Sequence, residues 1–212
     1  MIEEIKKLYD KYSKELEEVK NIQKQRAGLL NPHFDDIESE LLYMSIREVK
    51  PEHVVEFSPM EGWSTSWILE ALNRNGKGKC VSYDLTNNSQ ISLSKLDLNK
   101  ERWKLIQGDV EGQYSSFDFE SIDFLFIDSD HSVEFAEKYV AEVLSPAKKA
   151  YESKGKDITV FIHDIFGGDR ESSIQEGSVI KKYLSENNIN FITPSSEFEF
   201  RKDFDSIRAN YE

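Results

Sequence analysis

The sequence predicts an α/β domain, a mostly parallel sheet with helices on both faces. Three observations predict it. From His53 onward, short β-like runs alternate with helical runs, the order that builds parallel sheets through crossover helices. The inner runs "IDFLFIDSD" and "DITVFIHDIF", the latter centred on Val160, Phe161 and Ile162, are continuously apolar, as strands covered on both sides must be. Each of the five β-like runs also delivers an acid at its end: Glu56, Asp84, Asp109, Asp128 and Asp164.

The elements follow in order. Ile2, Ile5, Tyr9, Tyr12, Leu16 and Val19 fall on a three-then-four spacing between Glu and Lys, which predicts a helix over about Ile2 to Gln25. Such a helix packs on the domain or forms a dimer seam; the spacing allows both. Gly28 and "NPHFDD" break the pattern, and a second amphipathic helix runs from about Asp35 to Val49 before Lys50-Pro51 ends it. Residues 1–50 are therefore read as a helical segment and 51–212 as the domain proper.

In that domain "HVVEF" is a strand and "STSWILEALNRN" a helix. "CVSYDL" is a strand, followed by a weak helix near Ile91 to Leu98. "WKLIQGDV" is a strand, and "SVEFAEKYVAEVLSPAKKAY" is the helix after the fourth strand. "SVIKKYLSENN" follows the fifth strand. The tail from Ile189 to Tyr211 has short alternating segments such as "FEFRK", expected to add an antiparallel hairpin at one sheet edge.

Composition narrows the function classes. The net charge is -13, with no cluster of Lys and Arg, so no nucleic-acid partner is expected. Mean hydropathy is -0.59, and no apolar run approaches the ~20 residues of a membrane span. The charged N-terminus "MIEEIKKLYDKY" has no apolar signal core, so the expected location is the cytoplasm. Cys80 is the only cysteine. It excludes a disulfide scaffold and a cysteine-ligated zinc site within one chain, and reads as a small buried apolar residue.

Ligands of open α/β sheets bind beyond the carboxyl ends of the strands. Any one acid there could cap the next helix. Five in register repel one another and point to a cationic or hydroxyl-rich ligand. The first strand turns into its helix through "VVEFSPMEGWST", which holds a single glycine, Gly62. A dinucleotide turn uses three glycines so that a pyrophosphate can lie against the helix start. This turn argues for a ligand with no pyrophosphate.

Taken together, "VVEFSPMEGWST", "FLFIDSDHSVEF" and "FIHDI" resemble the first, strand-four and strand-five motifs of class I S-adenosylmethionine-dependent methyltransferases. More narrowly, they resemble the small O-methyltransferases of the catechol and macrolide-sugar type, which are often metal-dependent. The resemblance covers about Val54 to Asp164. It implies a Rossmann-like, mostly parallel seven-stranded sheet, with S-adenosylmethionine as cofactor. By the resemblance, Glu56 closes the first strand beside the cofactor, and Ser58 stands where the family usually has glycine. Gly62 lets backbone approach the methionine portion. Ser64 and Thr65 open the helix that holds its carboxylate. Asp84 takes the ribose diol. Asp109 and the Val110 backbone meet the adenine edge, and Asp128 is expected both to bind the cofactor and to take part in catalysis.

Methyl transfer to a hydroxyl needs the acceptor aligned and partly deprotonated. His131, three residues after Asp128, stands at the position the family uses for a general base; it could instead cap the following helix. The family's metal-dependent members ligate Mg²⁺ through a set that maps to Asp128, His163 and Asp164. His163 replaces an oxygen donor there, which would suit Mn²⁺ or another imidazole-tolerant ion, and Asp164 could equally position the substrate without a metal. His33 and His53 read as structural. The Gly-rich "GGDRESSIQEGS" is expected to be a mobile lid or an ordinary surface connection.

The expected activity is O-methyl transfer to a small hydroxyl acceptor, first a sugar or glycan hydroxyl by the resemblance. Two rivals remain: a metal-dependent hydrolase built on Asp128, His131, His163 and Asp164, which would leave Asp84 without a role, and a non-catalytic scaffold dimerising through the N-terminal helix.

Overall fold

The computed structural model describes residues 2–32, 36–165 and 175–192. Two helices come first, α1 (Ile2–Leu30) and α2 (Asp36–Val49). The positions Ile5, Tyr9, Tyr12, Leu16 and Val19 are all buried, so the apolar stripe of α1 is covered within the chain, against α2 and the first helix of the domain. Gly28 does not end α1, as its place in the pattern suggested. The helix runs on to bury Leu30 completely and stops at Asn31, which turns left-handed at φ 49° before Pro32. Glu15 of α1 accepts from Arg47 Nε at 2.6 Å and Nη2 at 3.0 Å and from the Tyr43 hydroxyl, tying α1 to α2.

The remaining elements are β1 (His53–Phe57), α3 (Trp63–Asn75), β2 (Lys79–Asp84), α4 (Asn88–Ser94), β3 (Trp103–Gln107), β4 (Phe124–Ile127), α5 (Val133–Tyr139), α6 (Ser145–Lys154), β5 (Thr159–Ile162) and α7 (Glu176–Glu186). The sheet order is β3-β2-β1-β4-β5, every pairing parallel. The expected seven strands are thus five among the described residues. The hairpin that would have made up the number was assigned to the tail, of which residues 193–212 lie outside the described residues, and 189–192 form no strand. The segment from Gly167 to Ile174, most of the expected lid, and His33 also lie outside them.

Period-two alternation divides the strand side chains between two cores. Val54, Phe124 and Phe126 face the core made with α1, α2 and α3, whereas Val55, Phe57, Leu125 and Ile127 face that made with α5 and α7. The single helix expected over 132–151 runs continuously over 133–154, with one widened π turn over 140–144 between the α5 and α6 stretches. Pro146, with no N–H to give the carbonyl four residues back, breaks the regular ladder there. Among the described residues no helix is long and apolar enough to cross a membrane.

Chain order runs outward from β1 to β2 and β3 on one side, and from β4 to β5 on the other. The switch point therefore lies between β1 and β4, and the crevice beyond their carboxyl ends is where such sheets bind ligands.

Candidate active site

The turn from β1 into α3 is held in an unusual backbone path. Ser58, Met60 and Gly62 all adopt left-handed φ, at 53°, 47° and 91°. The Ser58 amide donates to the Tyr83 carbonyl at 2.8 Å and its hydroxyl to Ser129 Oγ at 2.8 Å, joining the ends of β1, β2 and β4. A left-handed angle explains why glycine would be the ordinary choice at Ser58. At Gly62 packing within the chain also calls for glycine. A Cβ there would lie 2.9 Å from Leu93 Cγ on α4, so the glycine serves internal packing as well as the turn.

Glu56 shares the face of Val54 and points inward, fully buried. It accepts from Ser64 Oγ at 2.6 Å, from Thr65 Oγ1 at 2.8 Å and from Ser82 Oγ, which in turn accepts from Trp103 Nε1 at 2.8 Å. Burial pushes the Glu56 carboxyl up to about 6, although the three hydroxyls partly offset it. Ser64 and Thr65 thus spend their hydroxyl hydrogens on an internal acid, not toward a ligand carboxylate. What they leave at the α3 start is backbone N–H. Cys80 is buried, its thiol 4.0 Å from the same carboxylate and pushed well up by burial.

Asp84 ends β2 facing the turn. It accepts from the Met60 amide at 3.0 Å and from the Thr86 amide and hydroxyl at 2.8 and 3.0 Å. Met60 and Leu85 beside it are exposed, Leu85 to 71%, an apolar rim around a carboxylate. Asp109 is exposed, with one oxygen accepting the Glu111 amide at 3.0 Å in a local turn. The Val110 side chain is buried under the sheet.

Across the switch point, Asp128 gathers two histidines. Its Oδ1 lies 3.2 Å from His163 Nδ1 and 3.7 Å from His131 Nε2. His131 Nδ1 is 2.8 Å from Glu176 Oε2, and the Tyr139 hydroxyl donates to the other oxygen of Glu176 at 2.7 Å. Glu176 is 3% exposed. A carboxylate only accepts, so Nδ1 carries a hydrogen toward Glu176, and Nε2 is the ring nitrogen left on the Asp128 side. Glu176's hydrogen bond raises His131 above an ordinary histidine, against burial. Ser132, not His131, caps α5, its hydroxyl accepting from the Phe135 amide at 3.2 Å. For His163, burial opposes the charge, yet Asp128 and Glu38, the latter 3.2 Å from Nε2, raise it to about 10.

Asp164 is exposed and left-handed at φ 49°; its charge helps to raise His131, but it gives no ligand atom to the cluster of Asp128, His131 and His163. The structure therefore groups His131, not Asp164, with Asp128 and His163. Two imidazoles and one carboxylate do not fit the oxygen octahedron of Mg²⁺. His53 is structural, its Nδ1 3.2 Å from the Ser121 carbonyl. Glu38, Glu176 and Tyr139, which surround the two histidines, are residues that the sequence did not mark. An acid in the first turn of a helix, as Glu176 is, looks like ordinary dipole compensation.

A family model described as a methyltransferase domain matches residues 55–165. The fold is similar to that of the O-methyltransferase TomG from Streptomyces achromogenes, involved in tomaymycin synthesis and solved with SAM. Identity is 14%, coverage 77% of this chain and 76% of that one, and the TM-score 0.55. It is also similar to an O-methyltransferase from Bacillus cereus solved with SAH, at 17% identity, with 88% and 87% of the two chains covered and a TM-score of 0.54. No curated protein matches the sequence.

Proposed function

The chain belongs to the methyltransferase-domain family, and from that premise we propose that it transfers a methyl group from S-adenosylmethionine to a hydroxyl of a small acceptor, a sugar hydroxyl first. The observation that carries the transfer step is the anchoring of His131 by buried Glu176, which leaves Nε2 beside Asp128 at the switch point. The acceptor oxygen gives its proton to Nε2 and attacks the methyl carbon in line. The sulfonium sulfur keeps the electron pair of the breaking bond and leaves as the neutral thioether.

Cofactor binding follows from the other half of the crevice. Asp84 retains acceptor capacity beyond Met60 and Thr86 for a vicinal diol, since a carboxylate offers about four lone-pair sites. The exposed Met60 and Leu85 offer apolar surface to a nucleoside. The first-turn N–H groups of α3 suit the methionine carboxylate, and Asp109 with the Val110 backbone the adenine edge.

The test is calorimetric titration with S-adenosylhomocysteine, joined to mass spectrometry of the freshly purified protein for bound cofactor. One-to-one binding, weakened at least about tenfold by Asp84→Ala through loss of charge-assisted hydrogen bonds, is expected. Labelled S-adenosylmethionine with a panel of sugars and catechols then reads the acceptor class. Absence of any binding would overturn the proposal.

A further inference from the structure

The donor set around Asp128 has the composition and support of a transition-metal centre. One ligand atom each from Asp128, His131 and His163 lie within 4.8 Å of one another. Metal–ligand bonds of about 2.1 Å put neighbouring donors roughly 3.0–3.4 Å apart. The 3.2 and 3.7 Å separations from Asp128 Oδ1 need only small side-chain rotations to meet that spacing.

The second observation is independent of those distances. Each imidazole has its outer nitrogen on a carboxylate, His131 Nδ1 on Glu176 at 2.8 Å and His163 Nε2 on Glu38 at 3.2 Å. Metal-ligating histidines use such a partner to fix the tautomer and turn the inner lone pair toward the ion. Here the two inner nitrogens, Nε2 of His131 and Nδ1 of His163, are the ones that converge on Asp128. Tyr139 braces the Glu176 arm from behind.

We infer that Asp128, His131 and His163 form a site for one divalent first-row transition-metal ion, of the zinc or iron type, in preference to Mg²⁺. Imidazole donors suit such ions, whereas Mg²⁺ holds to oxygen. Three protein donors leave coordination positions open, and side-chain exposures of 18%, 31% and 12% for Asp128, His131 and His163 leave them reachable. When bound, the ion supplies a Lewis acid that lowers the pKa of a hydroxyl held at an open position. The inference rests on the methyltransferase reading only for what occupies that position. In the loaded protein His131 is a ligand, and the base role assigned to its free imidazole gives way.

The test uses the full chain stripped with EDTA and titrated calorimetrically with Zn²⁺ and, separately, Mg²⁺. One Zn²⁺ per chain should bind, at least about a hundredfold tighter than Mg²⁺. His131→Ala and His163→Ala should each weaken Zn²⁺ by about tenfold or more, and Glu176→Gln by about 10–100-fold. Asp164→Asn should weaken it less than either histidine variant does, since Asp164 gives no ligand atom to the cluster and reaches His131 only through its charge. X-ray absorption on the unaltered Zn²⁺-loaded protein should show two imidazoles, a readout that does not depend on whether any variant folds. Undiminished binding in both histidine variants, loss on Asp164→Asn equal to that on His163→Ala, Mg²⁺ binding as tight as Zn²⁺, or fewer than two imidazoles would each overturn it. S-adenosylhomocysteine titrated into the stripped protein separates the two proposals. Its binding without a Zn²⁺ site sinks this inference alone, and a Zn²⁺ site without its binding sinks the cofactor reading alone.

Discussion

Replacing Glu56 by Gln tests the buried network under the turn, and the structure sets the size of the effect. The Glu56 carboxyl is fully buried and raised from its ordinary value of 4.5 to about 6, with burial the largest cause. A rise of that size corresponds to about 2 kcal/mol of differential stability, at 1.36 kcal/mol for each pH unit. The folded state holds the proton more tightly than the unfolded chain. The contribution is therefore fully present below about pH 4.5 and is lost as pH rises through about 6. Glu56→Gln keeps the shape and removes the titration. Urea unfolding of both proteins between pH 4 and 7.5 gives a difference curve in which every other titrating group cancels. Wild-type stability relative to the variant should fall by about 2 kcal/mol across that window. A flat difference, or a wild type that gains stability with rising pH, would refute the claim that burial outweighs the hydroxyls of Ser64, Thr65 and Ser82.

Gly62→Ala should combine left-handed strain of ~1–2 kcal/mol with ~1–3 kcal/mol of overpacking against Leu93, and so lower Tm by at least about 4 °C. Gly28→Ala is its control. A Cβ at Gly28 meets nothing within 4 Å, and the substitution should stabilise α1 by about 0.5–1 kcal/mol, read in the same melt. In metal-stripped protein, Glu176→Gln should move the His131 titration downward in an NMR pH series, because the hydrogen bond that raises it is gone. An unmoved titration would remove Glu176 as the partner that sets His131.

Much of the fold was legible in the sequence because its signals are local. The apolar runs at β4 and β5, the spacing through α1 and the stop at Lys50-Pro51 each depend on neighbours a few residues away. The acids at the strand ends were legible for the same reason. Misplaced boundaries also have local causes that compete with tertiary ones. Gly28 is a helix breaker by propensity, yet burial of Leu30 carries α1 past it. Pro146 follows a widened turn inside the one predicted helix, between α5 and α6, where the apolar spacing showed no irregularity.

What the sequence alone determined is the alternation of strands and helices, the family-like motifs, and the delivery of Glu56, Asp84, Asp109, Asp128 and Asp164 to one edge. Only the tertiary structure decided what those acids do. It turned Glu56 inward to Ser64, Thr65 and Ser82, set Asp84 under the Met60 amide, and left Asp164 exposed. Above all, it brought Glu176 to His131, 45 residues apart in the chain, and Glu38 of α2 to His163 of the β5 end. Pairing across such separations has no periodic signature, because it is set by which helices pack on which face of the sheet.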